Sequence, residues 1–162
     1  MYIAICLSCL ACSRQNSDSV AKRPNEPDVV SVKNDDKEMN AAIRTAQATL
    51  DDFIKQITAP NPNQTYFSVK ARFEDGKNIE HIWIKVAVFI NGVFKGKIGN
   101  EPLDLSTVKL GEPVTITRER VSDWMIVENG ILKGGYTIRV LRNRMPIDER
   151  KTFDAELHFR FE

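Results

Sequence analysis

The residues able to do chemistry are few and scattered. His81 follows Glu80 and stands two places before Trp83; a general base there would need a reacting group and an orienting partner within hydrogen-bond reach. No second histidine and no G-x-S-x-G elbow lies near it in sequence, so a hydrogen-bonded structural histidine is expected first, a binding contact second and catalysis last. Ser122-Asp123 before Trp124 has the types of a nucleophile and an acid, but the capping preference of both residues favours a turn or helix-capping role. The two histidines, His81 and His158, with dispersed carboxylates match no metal-ligand spacing, so neither metal nor cofactor is expected. Trp83, Trp124 and Tyr136 are large rings with polar tips, fitted to a core or to the edge of a groove. Arg139, Arg142 and Arg144 beside Tyr136 could hold an anionic ligand, although a solvated arginine face is the commoner outcome.

Two glycine-bearing loops suggest where such residues would gather. Gly99-Asn100-Glu101-Pro102 and Gly134-Gly135 both end strand-like runs, and binding residues tend to sit on loops held by a rigid scaffold. The two loops are expected to be neighbours, with His81, Trp83, Trp124 and Tyr136 around them as a shallow site on one sheet face. The expected ligand-binding set is His81, Trp83, Asn100, Glu101, Asp123, Trp124, Tyr136 and Arg139.

The elements that must position them can be read from periodicity. Asp35 and Glu38 have capping-box-like spacing, and Met39, Ile43, Ala46, Leu50, Phe53 and Ile57 form one helical stripe that Pro60 closes. Phe67, Val69, Ala71 and Phe73 alternate with polar residues as a strand with one buried face, and Asp75-Gly76 turns the chain. Ile82 to Ile90 is apolar on both parities, which predicts a central strand, and Asn91-Gly92 is a tight hairpin into Val93 to Ile98. Val114 and Ile116 mark a short strand. Trp124 to Val127, Asn129-Gly130 and Ile131-Leu132 make a second hairpin, and Tyr136 to Met145 reads as a helix stopped by Pro146. The expectation is an α+β fold: an N-terminal helix packed on a meandering antiparallel sheet, with one or two C-terminal helices.

With 162 residues the chain suffices for one domain, and 23 basic against 22 acidic residues leave a net charge of +1, which supplies no long-range field toward nucleic acid. All three cysteines, Cys6, Cys9 and Cys12, fall in the first dozen residues, so a thiol nucleophile or zinc ribbon is excluded from the rest. Residues 1–11 read as a lipoprotein-type signal peptide: the apolar run is far below the roughly 20 residues needed to span a bilayer, and Leu10-Ala11-Cys12 resembles a lipidation box. Ser13 after the cysteine resembles the pattern of lipoproteins released to the outer membrane, so a periplasm-facing envelope protein is expected. Residues 12–34 lack an apolar period and are expected to be a disordered tether, averaging on the order of 25 to 30 Å end to end. Residues 35–162 form the domain.

Four motifs carry a resemblance. D-G-x-x-x-E-H-I-W (Asp75 to Trp83), G-K-I-G-N-E-P (Gly96 to Pro102), V-K-L-G-x-x-V (Val108 to Val114) and S-D-W-M-x-V-E-N-G-x-L-x-G-G-Y-T-I-R-V-L-R-x-R-M (Ser122 to Met145) look like the YegJ-like family, bacterial domains of unknown function. The resemblance extends in order from Asp35 to Phe153. It implies a short bacterial protein, often exported or lipidated, and brings no catalytic residues. This chain departs from the pattern at its end, where Leu157 to Glu162 alternates like an added strand. Taken together, these features favour a lipid-anchored envelope protein whose domain binds a protein or small ligand without catalysis. The alternatives are an immunity or inhibitor protein against a secreted antibacterial toxin and, behind it, an envelope hydrolase.

Overall fold

The computed structural model describes residues 20–23, 26–30 and 36–162. The expected signal peptide, Cys12 and much of the expected tether lie outside the described residues. Within the tether's range, β1 (Val20–Arg23) pairs antiparallel with β2 (Glu26–Val30).

From residue 36 onward the fold is α+β, as expected. Helices α1 (Lys37–Ala48) and α2 (Leu50–Thr58) lead into β3 (Gln64–Asp75), β4 (Asn78–Ile90), β5 (Val93–Ile98) and β6 (Pro113–Thr117). A single 3-10 turn, Arg118–Arg120, precedes β7 (Val121–Glu128) and β8 (Ile131–Gly134), and α3 (Tyr136–Arg144) and α4 (Ile147–Glu156) close the chain. The six strands run in the order β6-β5-β4-β3-β7-β8, all antiparallel, with β4 and β3 central. Strands β3 to β6 are the expected meander, whereas β7 returns to pair with β3. The link from Thr117 to Val121 reaches at most ~14 Å, less than the ~19 Å that four flat strand spacings would require. The sheet must therefore coil, and it does so around α2, where the Phe53 ring meets Phe67, Phe94 and Trp124 at 6.2, 5.8 and 5.7 Å.

The apolar stripe of the first helix is buried as its spacing predicts, with Met39, Ala42, Ala46, Leu50 and Phe53 inside, but it is carried by two helices rather than one. The break at Thr49 has a visible cause. The Trp124 indole N–H donates to the Ala46 carbonyl at 3.1 Å, which would otherwise accept from the next helical turn, and to Thr49 Oγ1 at 3.1 Å. A side chain inserted into the helical ladder in this way bends it. The N-cap is Asp36, not Asp35: Asp36 Oδ1 accepts from the Met39 N–H at 3.0 Å. Asp36 and Glu38 are both also held by Arg144, from the end of α3.

The two Asn-Gly turns form as predicted, with Asn91 and Asn129 at φ 51° and Gly92 and Gly130 at φ 78° and 75°. The Leu157 to Glu162 stretch does extend the sheet, through a single parallel bridge between Arg160 and Ile131 on the outer edge of β8. A second apolar cluster forms there from Met125, Val127, Leu132 and Phe159, on the face of the sheet away from α1 and α2.

Two predictions come from this packing. Gly92 and Gly134 both have positive φ, yet a Cβ on Gly92 meets open space, whereas one on Gly134 lands 2.3 Å from the Trp124 carbonyl oxygen. Gly92→Ala is therefore expected to cost ~1–2 kcal/mol and Gly134→Ala about 3 kcal/mol or more in urea melts; equal losses would show that the collision is absorbed. The second concerns acid. Donation from the Arg144 guanidinium, then from the Met39 N–H, holds the Asp36 carboxyl well below the usual carboxylate range. A folded-state pKa below the unfolded value gives stability that is present above about pH 4 and is lost as pH falls. Asp36→Asn should flatten that part of the urea-midpoint profile between about pH 5 and pH 2, and parallel profiles would deny the pair a role.

Candidate functional site

One transverse row of the sheet brings together several of the chemically capable residues. In the strand register Lys70 of β3 lies between Trp83 of β4 and Asp123 of β7, so these three side chains share the outer face, away from α1 and α2. Val69, one residue earlier, lies between Ile84 and Trp124, whose side chains face the helices. Trp83 and Trp124 therefore stand on opposite faces, and the expected three-ring groove does not form. Tyr136 goes with Trp124, ring to ring at 5.8 Å, its hydroxyl accepting from Thr49 Oγ1 at 3.1 Å.

Asp123 is the most confined member, 0% exposed. Its Oδ1 accepts from the N–H of Trp124 at 2.8 Å and of Tyr136 at 3.1 Å; its Oδ2 accepts from the N–H of Thr137 at 2.8 Å and the Thr137 hydroxyl at 2.6 Å. It therefore caps α3 from a different strand, which explains how a helix whose own N-cap is the side-chainless Gly135 begins cleanly. Negative charge at that end also opposes the positive pole of the helix. Thr137 Oγ1 accepts in turn from Lys70 Nζ at 3.3 Å, so a cation, a hydroxyl and a carboxylate form a chain with every proton directed one way. Burial pushes the Asp123 carboxyl up from its ordinary value, against the pull of Thr137, Lys70 and the backbone N–H groups. Desolvation lowers the Lys70 pKa and the Asp123 charge opposes this; the residue is half-buried. Its ammonium also lies 5.3 Å from the centre of the Trp83 ring.

His81 is on the same outer face, opposite Arg72, with Nδ1 2.7 Å from Ser122 Oγ. Ser122 Oγ lies 3.2 Å from the Lys70 carbonyl, and both contacts are hydrogen bonds at once only if the serine donates to the carbonyl and Nδ1–H donates to the serine. That is the reverse of what a nucleophilic serine needs from a base. It leaves Nε2 as the acceptor. Desolvation first, then the charges of Lys70 and Arg72, lower the His81 pKa, although the exposed side of the residue tempers that penalty. The ring is neutral at neutral pH. Glu80 does not orient it: its carboxylate accepts from the N–H groups of Leu103, Asp104 and Leu105 and folds the following loop onto β4.

The remaining expected site residues separate. Asn100 belongs with Trp83, whose backbone N–H donates to Asn100 Oδ1 at 2.8 Å, and exposed Glu101 follows it. Gly99 also fastens to this strand, its N–H donating to the Trp83 carbonyl at 2.7 Å, while the Gly135 N–H donates to the Trp124 carbonyl at 2.8 Å on β7. The two loops are therefore not neighbours. They flank the row from opposite sides, with β4, β3 and β7 between them. The arginine cradle is also corrected: Arg139 donates to the Gly134 and Leu132 carbonyls, Arg142 pairs with Asp154, and Arg144 pairs with Asp36 and Glu38. Lys70 and Thr137 were missed by sequence reasoning. Lys70 could have been found from the polar parity of β3, Ser68-Lys70-Arg72, whereas nothing local marks Thr137. No group of three or more potential metal ligands occurs among the described residues.

Asp123→Asn keeps the size but places an amide NH2 against backbone donors. It is expected to cost about 2–3 kcal/mol and to speed amide exchange at Tyr136 and Thr137 before the rest of α3. Unchanged exchange at those two amides would show that α3 does not depend on this cap.

Comparison with known proteins bears on the same span of chain. The E. coli K12 protein called Uncharacterized protein YegJ is 33% identical over 123 residues, covering 76% of this chain and 79% of that one. A Neisseria meningitidis serogroup B protein named for ankyrin repeats is 43% identical over 82 residues, which is 51% of this chain but 32% of that protein, so the match spans about a third of its length. No solved structure matches. The family model described as "Uncharacterized protein conserved in bacteria (DUF2314)" matches residues 36–161, the span that carries the sheet, its helices and the Lys70 row. The chain belongs to the DUF2314 family of bacterial proteins, with YegJ among its relatives.

Proposed function

We propose that the protein is a lipid-anchored envelope protein, held at Cys12 in the outer membrane and facing the periplasm, whose domain binds a protein or small ligand without catalysing a reaction. The observation that carries the binding part is the outer-face row itself. Half-buried Lys70, half-buried Trp83 and exposed His81 stand on adjacent strands of one face, so a cationic side chain, an apolar ring and an imidazole border one place. The absence of catalysis draws support from how the polar groups are used. Ser122 directs its proton at a backbone carbonyl, Asp123 is consumed as a helix cap, and Glu80 is consumed by a loop. The anchor reading rests on the Leu10-Ala11-Cys12 box alone.

Palmitate labelling and photo-crosslinking test the two parts separately. Label is expected in the native chain and not in Cys12→Ser; equal labelling removes the anchor. A photo-reactive residue at Glu101, beside the Trp83 end of the row, should give a discrete mass adduct in cells that disappears with Lys70→Met. The same residue at Glu149 on α4 should not. No adduct at position 101, or an adduct indifferent to Lys70, overturns the binding site.

A further inference from the structure

The outer face carries a second feature, at the β4–β5 hairpin. Lys85 of β4 is paired directly with Lys97 of β5, and Lys95 is paired with Val88. Cross-strand partners share a face, so the three lysines point the same way. Like charges placed directly opposite one another destabilise a sheet, and none of the three has a carboxylate partner among the described residues. Toward the hairpin tip, the β-bulge between Val86 and Val88 keeps Val88 and Ile90 on this face, where they are 42% and 47% exposed. The result is an aliphatic tip backed by a cluster of ammonium groups on a molecule whose net charge is only +1.

We infer that this side of the β4–β5 hairpin docks on the surface of an anionic phospholipid bilayer, with Val88 and Ile90 entering the interface and Lys85, Lys95 and Lys97 at the level of the phosphates. The residue types select this occupant. Lysine is depleted at protein–protein interfaces; the one exposed ring beside the patch, Tyr66, lies under Lys85 and against His158, and the hairpin tip offers valine and isoleucine where a nucleic-acid groove places stacking aromatics or arginine. A bilayer rewards both halves of the patch: apolar side chains buried in the interface, and flexible point charges that need no fixed geometry beyond it. The inference goes beyond the proposed binding row and does not require the lipid on Cys12.

Vesicle co-sedimentation of the full chain carrying Cys12→Ser separates the two. Binding is expected to vesicles of phosphatidylcholine with phosphatidylglycerol, to weaken with added salt, and to be much lower with phosphatidylcholine alone. Each lysine near such a surface contributes a factor of about five, so K85Q/K95Q/K97Q should lose roughly a hundredfold in partitioning. V88S/I90S should reduce binding at every salt concentration. Both variants change exposed positions, and an unaltered urea midpoint confirms that each is folded. Equal binding by the triple variant and its parent overturns the inference, as does absence of binding. Tighter capture of a single-stranded oligonucleotide or of an acidic peptide by the same lysines also overturns it, in favour of that partner.

Discussion

A buried carboxylate needs several donors to be tolerable, and the donors that Asp123 finds are the orphaned N–H groups at the start of α3. This one exchange sets much of the remaining geometry. It fixes α3 beside the first half of β7, beyond the residues that pair with β8, which places Tyr136 over Trp124 and Thr137 under Lys70. Trp124 in turn reaches into α1 and breaks it at Thr49, so the bend that lets α1 and α2 follow the coiled sheet traces back to the same strand. Gly134 belongs to this arrangement because the chain passes the Trp124 backbone too closely for a side chain, and Gly135 because it turns at positive φ against the Leu132 side chain.

What could be read locally from the amino-acid sequence was read well. The Asn-Gly turns, the alternation of β3 and the apolar stripe of the first helices depend on neighbours within a few residues, and all three are present. What failed depended on distant partners. Whether Trp83 and Trp124 share a face is decided by which β3 residue each is paired with, and no period in either strand contains that information. The β-bulges at Ser122 in β7 and between Val86 and Val88 in β4 then shift parity partway along a strand, so alternation counted from one end misassigns the other. Arg144 was expected on a solvated face or, less often, against an anionic ligand, because its carboxylate partners, Asp36 and Glu38, lie more than a hundred residues earlier.

The two faces of the sheet serve different ends. The inner face is an ordinary core wrapped around Phe53, while on the outer face the C-terminal segment packs on β7 and β8 and reaches inward as far as Tyr66 of β3, with Trp83 of β4 against the same apolar cluster. Over the rest of β3, β4 and β5 it holds Lys70, His81 and the hairpin lysines, residues that add little to an apolar core. The Ser68 to Arg72 parity and the three hairpin lysines are polar choices at positions where cross-strand pairing alone would accept many side chains.

The clasp of Arg144 on Asp36 and Glu38 also determines how the domain would carry a mechanical load. Any pull arriving through the chain that precedes Asp36 meets α1 at its first turn, where a lone helix would peel away one hydrogen bond at a time. Here the first turn is gripped by a guanidinium from the far end of α3, and α3 is gripped at its near end by Asp123 in β7. The first turn of α1 is thus linked through Arg144, α3 and Asp123 to β7, a strand in the interior of the sheet.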